Sequence, residues 1–99
     1  MPLLTRLLDD LAPLGEIEDR THLGGWALLK GGRVFALVQG ERVWLRTDQS
    51  NRFDYQRRGM VAFAPNPAME LGAFFEVPPD VLGDRDALLG CARKAVATR

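Results

Sequence analysis

The stretch WALLKGGRVFALVQGERVWLR, residues 26–46, decides the fold of this chain of 99 residues. Its apolar residues fall on alternate positions in three short runs, which is the period of β-strands. The pairs Gly31-Gly32 and Gly40-Glu41 separate the runs. Two-residue loops that contain glycine suit type I′ or II′ turns, because these turns need positive φ. The stretch therefore predicts strands two, three and four of an antiparallel meander whose first strand begins near residue 16.

Helical periodicity marks both ends of the chain. Leucines at helical spacing predict an amphipathic helix over residues 3–12, which Pro13 ends. Near the other end, Asp84 is a suitable N-cap for a helix whose apolar arc includes Cys91. The basic pair Arg93-Lys94 lies opposite this arc, so the helix is expected to cover the sheet with its apolar side.

A central helix and two more strands are predicted between these regions. Thr47 or Asp48 is placed to cap a helix that runs through about Arg58. Residues 60–64 and 71–77 have the composition of strands, and the prolines after the second run prevent its extension. The predicted fold class is α+β, with a mainly antiparallel six-stranded sheet and the element order α-β4-α-β2-α.

Composition limits the classes of function. Thirteen basic residues balance thirteen acidic ones, so the net charge gives no global attraction to nucleic acid or to an anionic membrane. No apolar run approaches the roughly 18–20 residues that a membrane-spanning helix needs, and the chain has no signal-peptide pattern. With a single cysteine, an internal disulfide is excluded. We expect one cytoplasmic domain over residues 1–99 that does not contact membranes.

Few residues are suited to catalysis or metal binding. Cys91, on the apolar arc of its helix, is expected to be a buried neutral thiol. His22 is the only histidine, and we expect it at the surface beside a turn. An enzyme would need these two residues, or a pair of carboxylates, to converge in a pocket. The carboxylates follow no calcium-loop spacing, so we expect no metal, no cofactor and no catalytic residues.

The pair Gly24-Gly25 allows two interpretations. Its backbone amides are able to face an anion, but neither GxGxxG nor a lysine after a glycine-rich loop is present. Alternatively, the glycines let the strand kink or let another backbone come close. We predict the second, a requirement of folding rather than a ligand contact.

Charge is distributed unevenly along the chain. Residues 41–59 carry five arginines and three carboxylates, a net charge of +2, whereas residues 60–90 carry one arginine and five carboxylates, a net charge of −4. The first region interleaves its arginines with aromatic residues, a composition able to contact phosphates and bases. A solvated helix face with Arg-Asp pairs explains the same composition. The candidate partner-contacting or phosphate-contacting face is formed by Arg46, Arg52, Arg57 and Arg58.

Three runs carry a more specific signature. They are DRTHLGGWALLKGGRVFALV at 19–38, VWLRTD at 43–48 and FFEVPPDVL at 74–82, with Asn51, Phe53, Gly59 and Phe63 between them. Together they resemble the N-terminal domain of the bacterial TfoX/Sxy competence regulators. The positions that match this family's motifs, to which we assign structural roles, are Arg20, Gly24, Gly25, Gly32, Phe35 and Pro78.

The resemblance implies a two-layer α+β domain of the secretion-chaperone-like type, and we expect this domain to stand alone, without the second, C-terminal domain of full-length regulators. It implies a part in transcriptional control of natural competence and no enzyme activity. Some positions depart from the family: His22-Leu23 stands where Met-Phe is usual, and Ala62-Phe63 where Pro-Phe is usual. Arg46 replaces the usual lysine, and Cys91 replaces an apolar residue that is often tryptophan.

Three classes of function stay open. The first is a regulatory binding module that acts through a protein partner, with weak, non-specific nucleic-acid binding as a possible addition. The second is an enzyme. The third is a small-ligand-binding or self-associating domain, such as a homodimer, which would show an apolar pocket or a buried symmetric interface. We favour the first class.

Overall fold

The computed structural model describes residues 3–22, 24–60 and 74–98. Its helices and strands are α1 (Leu3–Asp10), a 3₁₀ turn (Ala12–Leu14), β1 (Glu18–His22), β2 (Gly25–Lys30), β3 (Arg33–Gln39), β4 (Arg42–Arg46), α2 (Arg52–Gln56), β5 (Phe74–Glu76), α3 (Pro79–Leu82) and α4 (Arg85–Val96). The predicted α+β class is confirmed.

The strands form one antiparallel sheet in chain order, β1-β2-β3-β4-β5. The predicted meander is confirmed. At the β2–β3 turn, Gly31 and Gly32 have φ values of 62° and 79°, so both central positions have the positive φ that a type I′ turn needs. The last predicted strand is present as β5. The strand predicted at 60–64 lies outside the described residues except for Met60, which is not in a strand.

The central helix begins later than predicted, so Thr47 and Asp48 are wrong as its N-cap. Asp48 instead closes a turn, in which its carboxylate accepts from the Ser50 amide at 2.7 Å and its own amide donates to Asn51 Oδ1 at 2.8 Å. Asn51 precedes the first helical residue. The helix is also shorter than predicted, and the chain leaves it through a turn at Gly59, where φ is 74°.

The last part of the described chain contains one helix more than predicted. After β5, the prolines that end the strand start the short α3, with Pro79 in its first turn, a position that needs no amide donor. The predicted cap of α4 is confirmed, since the Asp84 carboxylate accepts from the amides of Asp86 and Ala87 at 3.1 and 3.2 Å.

The main core lies between one face of the sheet and the helices. α4 packs on β3 and β4, and α1 contacts α4. Fully buried side chains of α1, the sheet and α4 in this core include Leu7, Phe35, Val43 and Leu88. Burial of these side chains supplies most of the driving force for folding.

The opposite face of the sheet is also apolar. Its buried residues are Ala27, Leu29, Leu37, Trp44 and Phe74.

A hydrogen bond joins the β2–β3 turn to the residues just after α4. The Arg33 guanidinium donates to the carbonyl of Thr98. Within the described ranges, no helix is long and apolar enough to cross a membrane.

Candidate functional site

A groove of about 270 Å³ lies between α2, α3 and α4, and we call it the α2–α4 groove. Tyr55, Pro78, Val81 and Cys91 provide its largely apolar floor. Its rim carries the charged residues Asp54, Arg57, Arg58 and Lys94, with Asn51 at one end.

The helical geometry of α2 gives its side chains opposite directions. Tyr55 is buried and its ring packs on Phe75, with the ring centroids 6.0 Å apart. Phe53 points outward and is 65% exposed, which makes it the most exposed large apolar side chain among the described residues. Arg57 lies one turn further along, so its guanidinium covers the Phe53 ring, 5.8 Å from the centroid.

The floor of the groove contains a hydrogen-bonded pair, the Tyr55 hydroxyl and the Cys91 thiol. Burial raises the pKa of the Tyr55 hydroxyl well above its ordinary range. Burial also raises the pKa of the Cys91 thiol, although Lys94, the Tyr55 hydrogen bond and Arg58 oppose this effect. Both groups are therefore protonated at neutral pH. Cys91 is only partly buried, a correction to the expected full burial, because its side of α4 faces the groove.

The rim charges are joined by ion pairs at the surface. Lys94 Nζ lies 3.4 Å from an oxygen of Asp54, and an Arg57 nitrogen lies 4.0 Å from the other. Arg58 contacts Asp80 at 2.6 Å, and this hydrogen bond holds the pKa of the Asp80 carboxyl below its ordinary value. Exposed pairs of this kind contribute little to stability, because water and salt screen the charges. The cations are thus able to exchange these carboxylates for those of another molecule.

The structure does not bring the four predicted arginines together. Arg57 and Arg58 line the groove, and Arg52 lies at the start of α2, with its Nε 3.4 Å from Thr47 Oγ1. Arg46 lies on the opposite face of the sheet, over the Phe74 ring, and its Nε donates to the Val34 carbonyl at 2.7 Å.

The environment of Arg46 is that of a structural residue. Its guanidinium is part-buried, and burial together with the nearby Arg33 lowers its pKa. Its separation from the other three has a simple cause. Successive residues of β4 point to opposite sides of the sheet, and Arg46 shares its side with Trp44 rather than with the groove.

A protein-family model described as the TfoX N-terminal domain matches residues 9–98. The chain belongs to this family. The match includes every described strand and the whole lining of the α2–α4 groove. No significant match to a curated protein is found.

The residues that match the TfoX motifs differ in their surroundings. A Cβ atom at Gly25 would lie 2.0 Å from the Val38 carbonyl oxygen, so close backbone approach is the reason for this glycine. Gly24 has a φ of 80°, Phe35 is in the core, and Arg20 is exposed on β1 and pairs with Glu18.

Pro78 is the TfoX motif residue that lines the groove.

His22, the other residue considered for catalysis, lies outside the groove. It is the last residue of β1 and is opposite Gly25 in the sheet register. Within the described ranges, no group of three or more His, Cys, Asp or Glu residues is arranged to hold a metal ion.

Sequence reasoning assigned four residues of the groove to no site: Asp54, Tyr55, Val81 and Lys94. Lys94 was expected on the side of its helix away from the apolar arc, yet it contacts Asp54, which lies 40 positions earlier. The available signal was the i, i+3 spacing of Cys91 and Lys94, which places both on one side of a helix. Nothing in the local sequence indicated that α2 would pack beside them.

Proposed function

We propose that this TfoX N-terminal domain is a non-enzymatic regulatory domain that acts through a protein partner in transcriptional control, as the family's link to competence regulators suggests. The observation that carries the proposal is the exposed Phe53 with Arg57 stacked on it, beside the α2–α4 groove. Aromatic residues and arginine are the types most enriched among residues that dominate the energy of protein interfaces.

The size of the groove supports a protein partner over a small molecule. Its volume of about 270 Å³ is just below the roughly 300–1,000 Å³ that is usual for small-molecule sites. A space of this size accommodates side chains of a partner better than a whole cofactor. This groove therefore gives little support to the alternative of a small-ligand-binding domain.

The chemistry of the groove supports a non-enzymatic role. A catalytic thiol or phenol needs a lowered pKa or an adjacent base, because only the deprotonated form is a good nucleophile. Burial instead raises the pKa of both Cys91 and Tyr55.

The proposal also includes a cytoplasmic location and the absence of a metal or cofactor. A weak homodimer is included as an alternative to binding of a different protein.

The test is a transcript comparison in the native host, between a strain that lacks the gene and strains complemented with variants. Phe53→Ser is expected to behave like the deletion while keeping the melting temperature of the wild type, since Phe53 contributes little to the core. Gln56→Ser, an exposed polar change on the same helix, is the matched control and is expected to complement fully. Identical transcripts in the deletion and wild-type strains would contradict the proposal.

A further inference from the structure

The α2–α4 groove combines an apolar floor with a predominantly cationic rim. Among its charged lining residues, three are cations, Arg57, Arg58 and Lys94, and one is the carboxylate of Asp54. This local excess of positive charge occurs in a chain whose net charge is zero. Lys94 and Arg58 both favour a negative charge at Cys91 on the floor, and Asp54 opposes it.

The cations are accessible to another molecule. The side chains of Arg57 and Lys94 are 65% and 63% exposed, and both contact the same carboxylate, Asp54. One carboxylate that serves two cations leaves positive charge for which an incoming carboxylate is the natural partner. Phe53 and its stacked Arg57 extend this surface beyond the rim.

We propose that the α2–α4 groove binds an acidic segment of a partner protein, with one apolar side chain of that segment on Tyr55 and Val81 and its carboxylates on Arg57 and Lys94. This inference rests on the proposed function and adds the chemistry of the partner. Apolar contact supplies affinity, and the charges select acidic over basic segments.

A polypeptide fits these features better than nucleic acid does. A phosphate backbone makes no use of the apolar floor, which offers a phosphate no hydrogen bond. An acidic peptide is able to bring carboxylates to the cations and an apolar side chain to the floor at once. Duplex DNA is therefore an alternative outcome of the test.

The experiment selects binders to the full chain from a displayed library of random twelve-residue peptides. We expect enrichment of sequences that contain Asp or Glu next to a leucine or aromatic residue. A synthetic peptide of the enriched sequence is then titrated against variants. Arg57→Glu and Lys94→Glu are each expected to weaken its binding at least about tenfold, and added salt is expected to weaken binding to the wild type.

The control is Arg93→Glu, which makes the same change of charge next to Lys94 on an exposed residue outside the groove. Its affinity is expected to stay within about twofold of the wild type, because its charge does not face the peptide. Cys91 gives an independent readout of location. It is the single cysteine of the chain and it lines the groove. Bound peptide is therefore expected to slow its alkylation.

Other outcomes overturn the inference and are separable from failure of the proposed function. A basic consensus, no consensus, or binding that Arg57→Glu and Lys94→Glu leave unchanged rejects an acidic partner in this groove. If the transcript test then still shows dependence on Phe53, a protein partner of other chemistry stands. Duplex DNA bound with nanomolar affinity, and lost in Arg57→Glu, would reject both proposals.

Discussion

Gly25, the first residue of β2, lies against the backbone of β3. A Cβ atom added at Gly25 would lie 2.0 Å from the Val38 carbonyl oxygen, which is far inside van der Waals contact. Gly25→Ala must therefore push two paired strands apart, and we expect it to lower the free energy of unfolding by about 1–3 kcal/mol. Urea denaturation followed by tryptophan fluorescence measures this change.

The control for Gly25 is Gly90→Ala, within α4, where no atom lies within 4 Å of an added Cβ. This change is expected to stabilise the protein by about 0.5–1 kcal/mol, because alanine loses less backbone entropy in a helix. Opposite signs for the same chemical change would separate close approach from glycine flexibility. Equal stability of Gly25→Ala and the wild type would contradict the structural explanation.

Cys91 is expected to react slowly with iodoacetamide in the folded protein and quickly in urea. Burial raises its pKa, so the reactive thiolate forms only at higher pH than in an unfolded chain. The same difference favours the folded state below the unfolded pKa, and this stabilisation is lost as pH rises above about 8.5. Alkylation rates and melting temperatures between pH 7 and 10 test both statements, and fast labelling of the folded protein at pH 7 would refute them.

Arg46 connects three strands, from β3 through β4 to β5. Its Nε donates to Val34 and its guanidinium covers the Phe74 ring. We expect Arg46→Ala to cost about 1–3 kcal/mol, because it removes a charge-assisted hydrogen bond and leaves a part-buried carbonyl without that donor.

The comparison for Arg46 is Arg57→Ala, which removes an exposed ion pair and an exposed contact with the Phe53 ring and is expected to change stability by less than about 1 kcal/mol. Thermal unfolding of both variants distinguishes a structural arginine from one available to a partner. Equal losses of stability in the two variants would contradict a structural role that is specific to Arg46.

The meander was predictable because its signals are local. Alternation in β2 to β4 specifies the strand period, the glycines of the two turns specify where the strands end, and Asp84 specifies the start of α4. The start of α2 was not predictable, since Asp48 and Asn51 are both residues that cap helices and only the folded turn selects between them.

The groove could not be predicted for a different reason. It depends on contact between α2 and α4, such as Lys94 with Asp54, and on the side of the sheet to which Arg46 points. Hydrophobic periodicity reports which side of an element is buried but not which element covers it. Phe53 was noted for its arginine neighbours, and its exposure follows only from the orientation of α2.

The balance of charge over the whole molecule limits its attraction to DNA. Arg57, Arg58 and Lys94 offer about three phosphate contacts, so the logarithm of affinity should fall with the logarithm of salt concentration with a slope near −2 to −3. We expect dissociation constants no tighter than about micromolar at physiological salt, with little preference among sequences. Titration of labelled duplexes at several salt concentrations measures both, and selective nanomolar binding would be inconsistent with this view.

The connectivity of the sheet predicts an order of events in folding. Two-residue turns join β2 to β3 and β3 to β4, whereas β5 reaches β4 only after residues 47–73. Closing the longer connection costs more chain entropy, so the hairpins are expected to form first and β5 to join late.

Gly32→Ala, which strains the β2–β3 turn at a φ of 79°, should then mainly slow refolding. Phe75→Leu in β5 should mainly speed unfolding, and stopped-flow measurements in urea would separate the two effects. The surface beside α2 would in that case be the last part of the molecule to take shape and the first to be lost.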